Sequence, residues 1–158
     1  MTILMKRIYS IILLVVAMTA ISSCTHNNGD IGPWFGIWKL TELKVNGTTD
    51  PGYEGNVFWS FQTNIFQMKE VITDGTGQWS DERWGSWEEG DGDLILSFTY
   101  SSQSTPEPGT GVYHPLPGMY LPTNQAVHLD IVKYPDSKME LAYTTDDGNQ
   151  ITYYFTRW

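Results

Sequence analysis

The groups able to do chemistry in this chain are one thiol, Cys24, three imidazoles, His26, His114 and His128, and the carboxylate run Glu88-Glu89-Gly90-Asp91-Gly92-Asp93. The imidazoles fall in three separate stretches, at no spacing that a zinc site uses, and are expected to be structural. The carboxylates offer the clustered oxygens a hard cation wants, but Leu94 stands where the calcium-loop order needs glycine after Asp93. A solvated hairpin tip is the better reading. Nucleophilic catalysis finds no support: there is no Gly-x-Ser-x-Gly and no serine in a triad frame. Paired carboxylates for glycoside hydrolysis depend on a three-dimensional separation, so that chemistry stays open as a third class. The chain is therefore read as non-enzymatic, with no metal and no cofactor.

The thiol has a more specific context. Lys6-Arg7 precedes the apolar run Ile8 to Ile21, which at 14 residues is shorter than the roughly 20 a membrane helix needs and has the order of a secretory signal. Ile21-Ser22-Ser23-Cys24 resembles the bacterial lipobox, in which the cysteine is acylated and the bond before it is cut. No second cysteine exists to pair with Cys24, which agrees with a lipid and not a disulfide role. Residues 1–23 are thus expected to be a lipoprotein signal peptide and 24–32 an acylated cysteine with a polar tether. Residues 33–158 form the domain. Thr25 and the residues after it lack an acidic group directly behind Cys24, which resembles an outer-membrane address; a periplasm-facing position is expected.

Cleavage before Cys24 leaves seven basic residues against 18 acidic ones. Long-range attraction then disfavours nucleic acid as a partner. The seven Trp, nine Tyr and six Phe are more informative, because aromatics favour strands, fill barrels and make sugar-stacking or apolar ligand surfaces.

Alternation of apolar and polar residues organises the domain. Strands are expected over 34–45, 56–63, 65–72, 78–88, 93–100, 127–134, 138–145 and 150–157. Val57, Trp59 and Phe61 share one face, as do Leu94, Leu96, Phe98 and Tyr100. The pattern recurs in Val127, Leu129 and Ile131, in Met139, Leu141 and Tyr143, and in Ile151, Tyr153 and Phe155. Asn46-Gly47, Asp74-Gly75, Gly90-Asp91-Gly92, Pro135-Asp136-Ser137 and Asp146-Asp147-Gly148 supply the turns, which makes sequential antiparallel neighbours the expected topology. Ser101 to Asn124 carries five of the eight prolines and cannot form a central strand. It reads as a lid or as a variable insertion, with Val112-Tyr113 and Met119-Tyr120-Leu121 available for short edge pairings.

Gly36-Ile37-Trp38, at the start of the domain, resembles the lipocalin Gly-x-Trp signature. Phe35 to Leu40, Gly85-Ser86-Trp87 with Asp93 to Leu96, and Ile151 to Phe155 are similar in arrangement to small bacterial lipocalin-like lipoproteins. The resemblance implies an all-β, eight-stranded antiparallel up-and-down barrel in which Trp38 plugs one end and Arg157 lies across its ring. Two departures accompany it: no helix is expected before Trp38, and the usual lipocalin disulfide is impossible.

An eight-stranded barrel is just wide enough for one small ligand. Trp59, Phe61, Trp79, Trp87, Phe98, Tyr143, Tyr153 and Phe155 are the candidate lining, with Gly36, Trp38 and Arg157 as structural residues at the barrel end. Trp79 and Trp87 share a parity that Trp84 does not, unless a bulge at Gly85 intervenes. The leading expectation is a membrane-anchored, non-catalytic protein binding a small apolar or amphipathic ligand. The alternative is an interaction module that binds glycan or a protein partner through rim aromatics.

Overall fold

A computed structural model describes residues 32–101, 115–123 and 125–158. The stretches expected to be signal peptide and tether, with Cys24, His26, Val112, Tyr113 and His114, lie outside the described residues. The domain is all-β. Its strands are β1 (Gly36–Val45), β2 (Thr48–Thr49), β3 (Val57–Gln62), β4 (Ile65–Asp74), β5 (Gly77–Glu89), β6 (Asp93–Ser101), β7 (Val127–Lys133), β8 (Lys138–Thr144) and β9 (Gln150–Arg157). Each pairs antiparallel with its neighbour, and β1 also pairs with β9, so eight strands close into a barrel while the two-residue β2 only extends β1. The expected fold class is what the chain adopts. Pairing of β1 with β9 closes the sheet on itself and covers the sides that those two strands would present in an open sheet.

Two expectations of simple alternation need correction. The first strand begins at Gly36 and not at Trp34, because Gly32-Pro33-Trp34 forms a 3-10 turn and Gly36, at φ 119, takes a conformation costly for any side-chain-bearing residue. A short helical turn therefore does precede Trp38. The second correction concerns parity along the strands. Thr41 is an extra residue opposite β9, since Leu40 pairs with Phe155 and Glu42 with Tyr154. That bulge lets Trp38 and Leu40 on one side of it, and Leu43 on the other, all reach the interior.

A comparable shift falls between β5 and β6, where Trp84 pairs with Tyr100 and Gly85 with Phe98, so Thr99 is the extra residue. The break lies opposite Gly85, but the insertion is on β6, and Tyr100 leaves the register it would have shared with Phe98. Gly85 is fixed there by space: a Cβ would stand 1.7 Å from the Ser97 carbonyl oxygen.

The turns divide the barrel into two ends. Connections β3–β4, β5–β6 and β7–β8, with the start of β1 and the end of β9, form the base. Connections β1–β3, β4–β5, β6–β7 and β8–β9 form the mouth.

Candidate functional site

The base is shut by aromatic rings and one arginine. Trp38 is fully buried, and its indole N–H donates to the Trp34 carbonyl at 2.9 Å. The Arg157 guanidinium carbon stands 4.5 Å from the Trp38 ring centroid. Its nitrogens donate to the carbonyls of Phe35 at 2.8 Å, Pro33 at 2.6 Å and Asp136 at 3.0 Å. One cation thus ties the entering chain to the β7–β8 turn and lies over the plug ring. Trp34 adds a second layer, with ring centroids 5.4 Å from Phe61 and 5.8 Å from Trp87. Its indole N–H donates to Glu89 Oε2 at 2.7 Å, an oxygen that also accepts from the Tyr134 hydroxyl at 3.0 Å.

Above the base the candidate lining residues meet one another. Trp59 packs on Phe155 at 4.7 Å, Phe66 at 5.4 Å and Tyr153 at 5.7 Å between centroids. Phe61 meets Phe66 at 5.2 Å, and Phe66 meets Phe98 at 5.6 Å. Trp59, Phe61, Phe98, Tyr153 and Phe155 are buried in this cluster, with Trp87 and Tyr143 half-buried against it. Trp79 does not join them. It is 43% exposed, and its indole N–H donates to Asp74 Oδ2 at 3.1 Å. Its parity does point inward, but β4 and β5 run on as a hairpin beyond the start of β3 at Val57, which pairs with Glu70. Beyond that row an inward side chain leaves the β3 wall behind.

Polar groups also face the interior. Asp81 and Arg83, two residues apart on β5, are buried and form an ion pair. The row Trp59–Met68–Arg83 runs straight across β3, β4 and β5, so the guanidinium shares a layer with the central tryptophan. Among the described residues no hydrogen-bond acceptor meets the buried indole N–H groups of Trp59 and Trp87. The Asp81–Arg83 pair was accessible to sequence reasoning, since both residues keep the inward parity of Trp87.

The mouth is closed by part of the Pro-rich connection. Leu116, Met119 and Leu121 are buried in the core cluster, although residues 115–123 contain no strand. Met119-Tyr120-Leu121 is therefore a plug and not an edge pairing. Gly118 at φ 77 and Tyr120 at φ 57 turn the backbone so that Met119 and Leu121 point down while Tyr120 points out. The Tyr153 hydroxyl donates to the Met119 carbonyl at 2.6 Å, and the Tyr120 hydroxyl to Asp50 Oδ2 at 2.9 Å. Sequence reasoning missed these three apolar residues as core, because an irregular segment has no periodicity to reveal its buried face.

Between this plug and the β1–β3 connection lies a cleft of about 430 Å3. Asp50, Tyr53, Asn56, Glu70 and Tyr120 reach it. The Tyr53 hydroxyl donates to the Leu40 carbonyl at 2.6 Å and accepts from the Val57 amide at 3.4 Å. Burial pushes its ionisation up to about 12; the Val57 amide works against that and the Glu70 charge adds to it. Burial likewise raises Tyr153 well above the ordinary tyrosine range, with Tyr143 and Tyr120 contributing.

The chemistry-bearing residues stay apart. His128 lies on the outside of β7 with Nδ1 3.8 Å from Asp93 Oδ2. Glu89 is engaged at the base, and no group of three His, Cys, Asp or Glu able to hold a metal ion occurs among the described residues.

The architecture is that of a lipocalin-like domain. A lipocalin-like protein from Bacteroides uniformis superposes on 80% of this chain and 100% of its own, with a TM-score of 0.55 at 16% identity. An uncharacterized protein from Bacteroides eggerthii matches 79% of this chain and 99% of its own, with a TM-score of 0.53 at 17% identity. At such identities the likeness is one of fold. No protein-family model matches the sequence, and neither does a curated protein.

Proposed function

We propose that this protein is a lipid-anchored, non-catalytic carrier whose barrel takes a small apolar or amphipathic molecule through the mouth. The observation that carries this reading is the plug: Leu116, Met119 and Leu121 fill an opening in a closed barrel with side chains from a segment that has no strand pairing. Such a segment opens at lower cost than a strand, because few main-chain hydrogen bonds break when it leaves. Withdrawal exposes Tyr153 and the rings below it to an apolar group of similar bulk. The ligand's apolar part replaces the contacts of the plug, and a polar part can reach the Asp81–Arg83 pair. The acylated Cys24 holds the domain to the outer membrane on its periplasmic side.

Native mass spectrometry of the full chain, extracted from its host membrane in detergent, tests the reading. A co-purifying small molecule is expected, together with displacement of a fluorescent fatty-acid probe by the extracted ligand. Met119→Ser should change probe affinity several-fold. Repeated preparations that carry no extra mass and bind no probe would end the carrier reading. Cys24→Ser is expected to abolish incorporation of labelled palmitate and to release the protein from membranes; unchanged fractionation would remove the anchor.

A further inference from the structure

The tryptophans of the barrel divide by what their indole N–H groups meet. At the base Trp38 donates to the Trp34 carbonyl at 2.9 Å and Trp34 to Glu89 at 2.7 Å, and at the mouth Trp79 donates to Asp74 at 3.1 Å. Inside, Trp59 is fully buried and Trp87 is half-buried against the core, and the N–H of each meets no acceptor. Among the described residues these two are the only buried side-chain polar atoms in that condition. Both are donors, so the chemical complement of this interior is an acceptor. A desolvated donor that meets none is costly, and a ligand that brings one removes the cost.

We propose that Trp59 is the polar contact of the carried molecule: its indole N–H donates to an uncharged oxygen, the carbonyl of an ester, ketone or amide, on an otherwise apolar ligand. This rests on the carrier reading and adds a ligand class to it. Position favours Trp59 over Trp87. The Trp59 ring lies 5.7 Å from that of Tyr153, whose hydroxyl is bonded to Met119 of the plug, so Tyr153 bridges the plug and Trp59. Trp87 packs instead on Phe61 and on Trp34 of the base. Charge favours a neutral group. Asp81 and Arg83 are the buried charged side chains among the described residues, and they are paired with each other. A carboxylate brought into their layer would find the cation already matched, and an ammonium would meet indole donors where it needs acceptors. A carbonyl oxygen satisfies Trp59 and leaves the ion pair as it is.

The test uses the full chain in detergent, labelled at the indole nitrogens, with methyl laurate, dodecane and laurate as probes. Proton–nitrogen NMR reads each indole, and the Trp59 signal is assigned by its absence in Trp59→Phe. Methyl laurate is expected to move the Trp59 indole proton downfield and to slow its exchange with solvent. Dodecane should leave it in place, and Trp38, already bonded, is the unmoved reference. Trp59→Phe should weaken methyl laurate about fivefold, the worth of one hydrogen bond, with no change for dodecane. Because a phenyl ring leaves a gap, benzothienylalanine in place of Trp59 repeats the measurement with the indole shape kept and the N–H removed. The same loss is expected, with no fall in the melting temperature of the unliganded protein. A fall there would mean that the N–H has a partner within the fold, and would overturn the proposal. Probes that bind with the Trp59 proton unmoved, or a shift as large with dodecane, would overturn it too and spare the carrier. Ionised laurate binding more tightly than its methyl ester would overturn the uncharged class. Failure of every probe to bind would end the carrier reading, and this inference with it.

Discussion

The two ends of the barrel are closed by different physics. At the base, Arg157 donates to three carbonyls and covers Trp38, whose own N–H is bonded to Trp34. The Arg157, Trp38 and Trp34 donors named there all have acceptors, and the cover continues directly into β1 and β9. At the mouth, the cover is a loop with three apolar side chains, held to the barrel by the Tyr153 and Tyr120 hydroxyls. One closure is part of the barrel wall, the other is seated on it. A cover continuous with neighbouring strands costs more to displace than one held by a few side-chain contacts.

Substitutions at the two ends should break or sharpen this contrast. Trp38→Ala is expected to have the largest effect, a loss of about 3–5 kcal/mol in chemical denaturation, because a fully buried indole leaves a cavity at the meeting point of β1, β3 and β9. A loss under about 1 kcal/mol would mean the base is not the rigid end. Arg157→Ala should cost about 1–2 kcal/mol through lost stacking and three freed carbonyls that water can partly reach. Tyr153→Phe removes one hydrogen bond to the plug and is expected to lower global stability by about 1 kcal/mol. Its sharper signature is faster amide exchange over 115–121 with no change around Trp38. Equal acceleration at both ends would remove the distinction.

The smallest effect at neutral pH belongs to the tyrosines, and it grows in alkali. Tyr53 ionises near 12 in the folded chain against about 10 when unfolded. The unfolded state therefore loses its proton first, and the stabilisation present below pH 10 falls away as pH rises toward 12. Tyr153, raised in the same direction, adds to that loss. Melting followed from pH 9 to 12 should fall, with the amides of 115–121 exchanging before those of the base, and Tyr53→Phe should flatten the Tyr53 share. A pH-independent melting curve over that range would contradict the burial of both hydroxyls.

Much of this was legible in the residues. All eight barrel strands stand in the alternation of apolar side chains, and the turns fall at the glycine- and proline-bearing stretches, because hairpins are local and their chemistry is written within a few residues. Gly36, Trp38 and Arg157 could be singled out for the same end of the barrel. Trp79 could not be placed, since parity reports which face a side chain takes and not whether the wall continues beside it. Spacing likewise gives no sign of the extra residue Thr99, which shifts the pairing of β6 with β5 beyond Phe98.

The sequence by itself determined the eight barrel strands, the antiparallel order and most of the inward-facing set, for these depend on periodicity and on short connections. Only the tertiary structure decided that the aromatic candidates other than Trp79 pack against one another in the interior, that Leu116, Met119 and Leu121 close the mouth, and that Ile37, Ile65 and Trp84 line one groove on the outer wall. Those facts depend on register and on contacts between residues far apart in the chain, and local spacing carries no record of either.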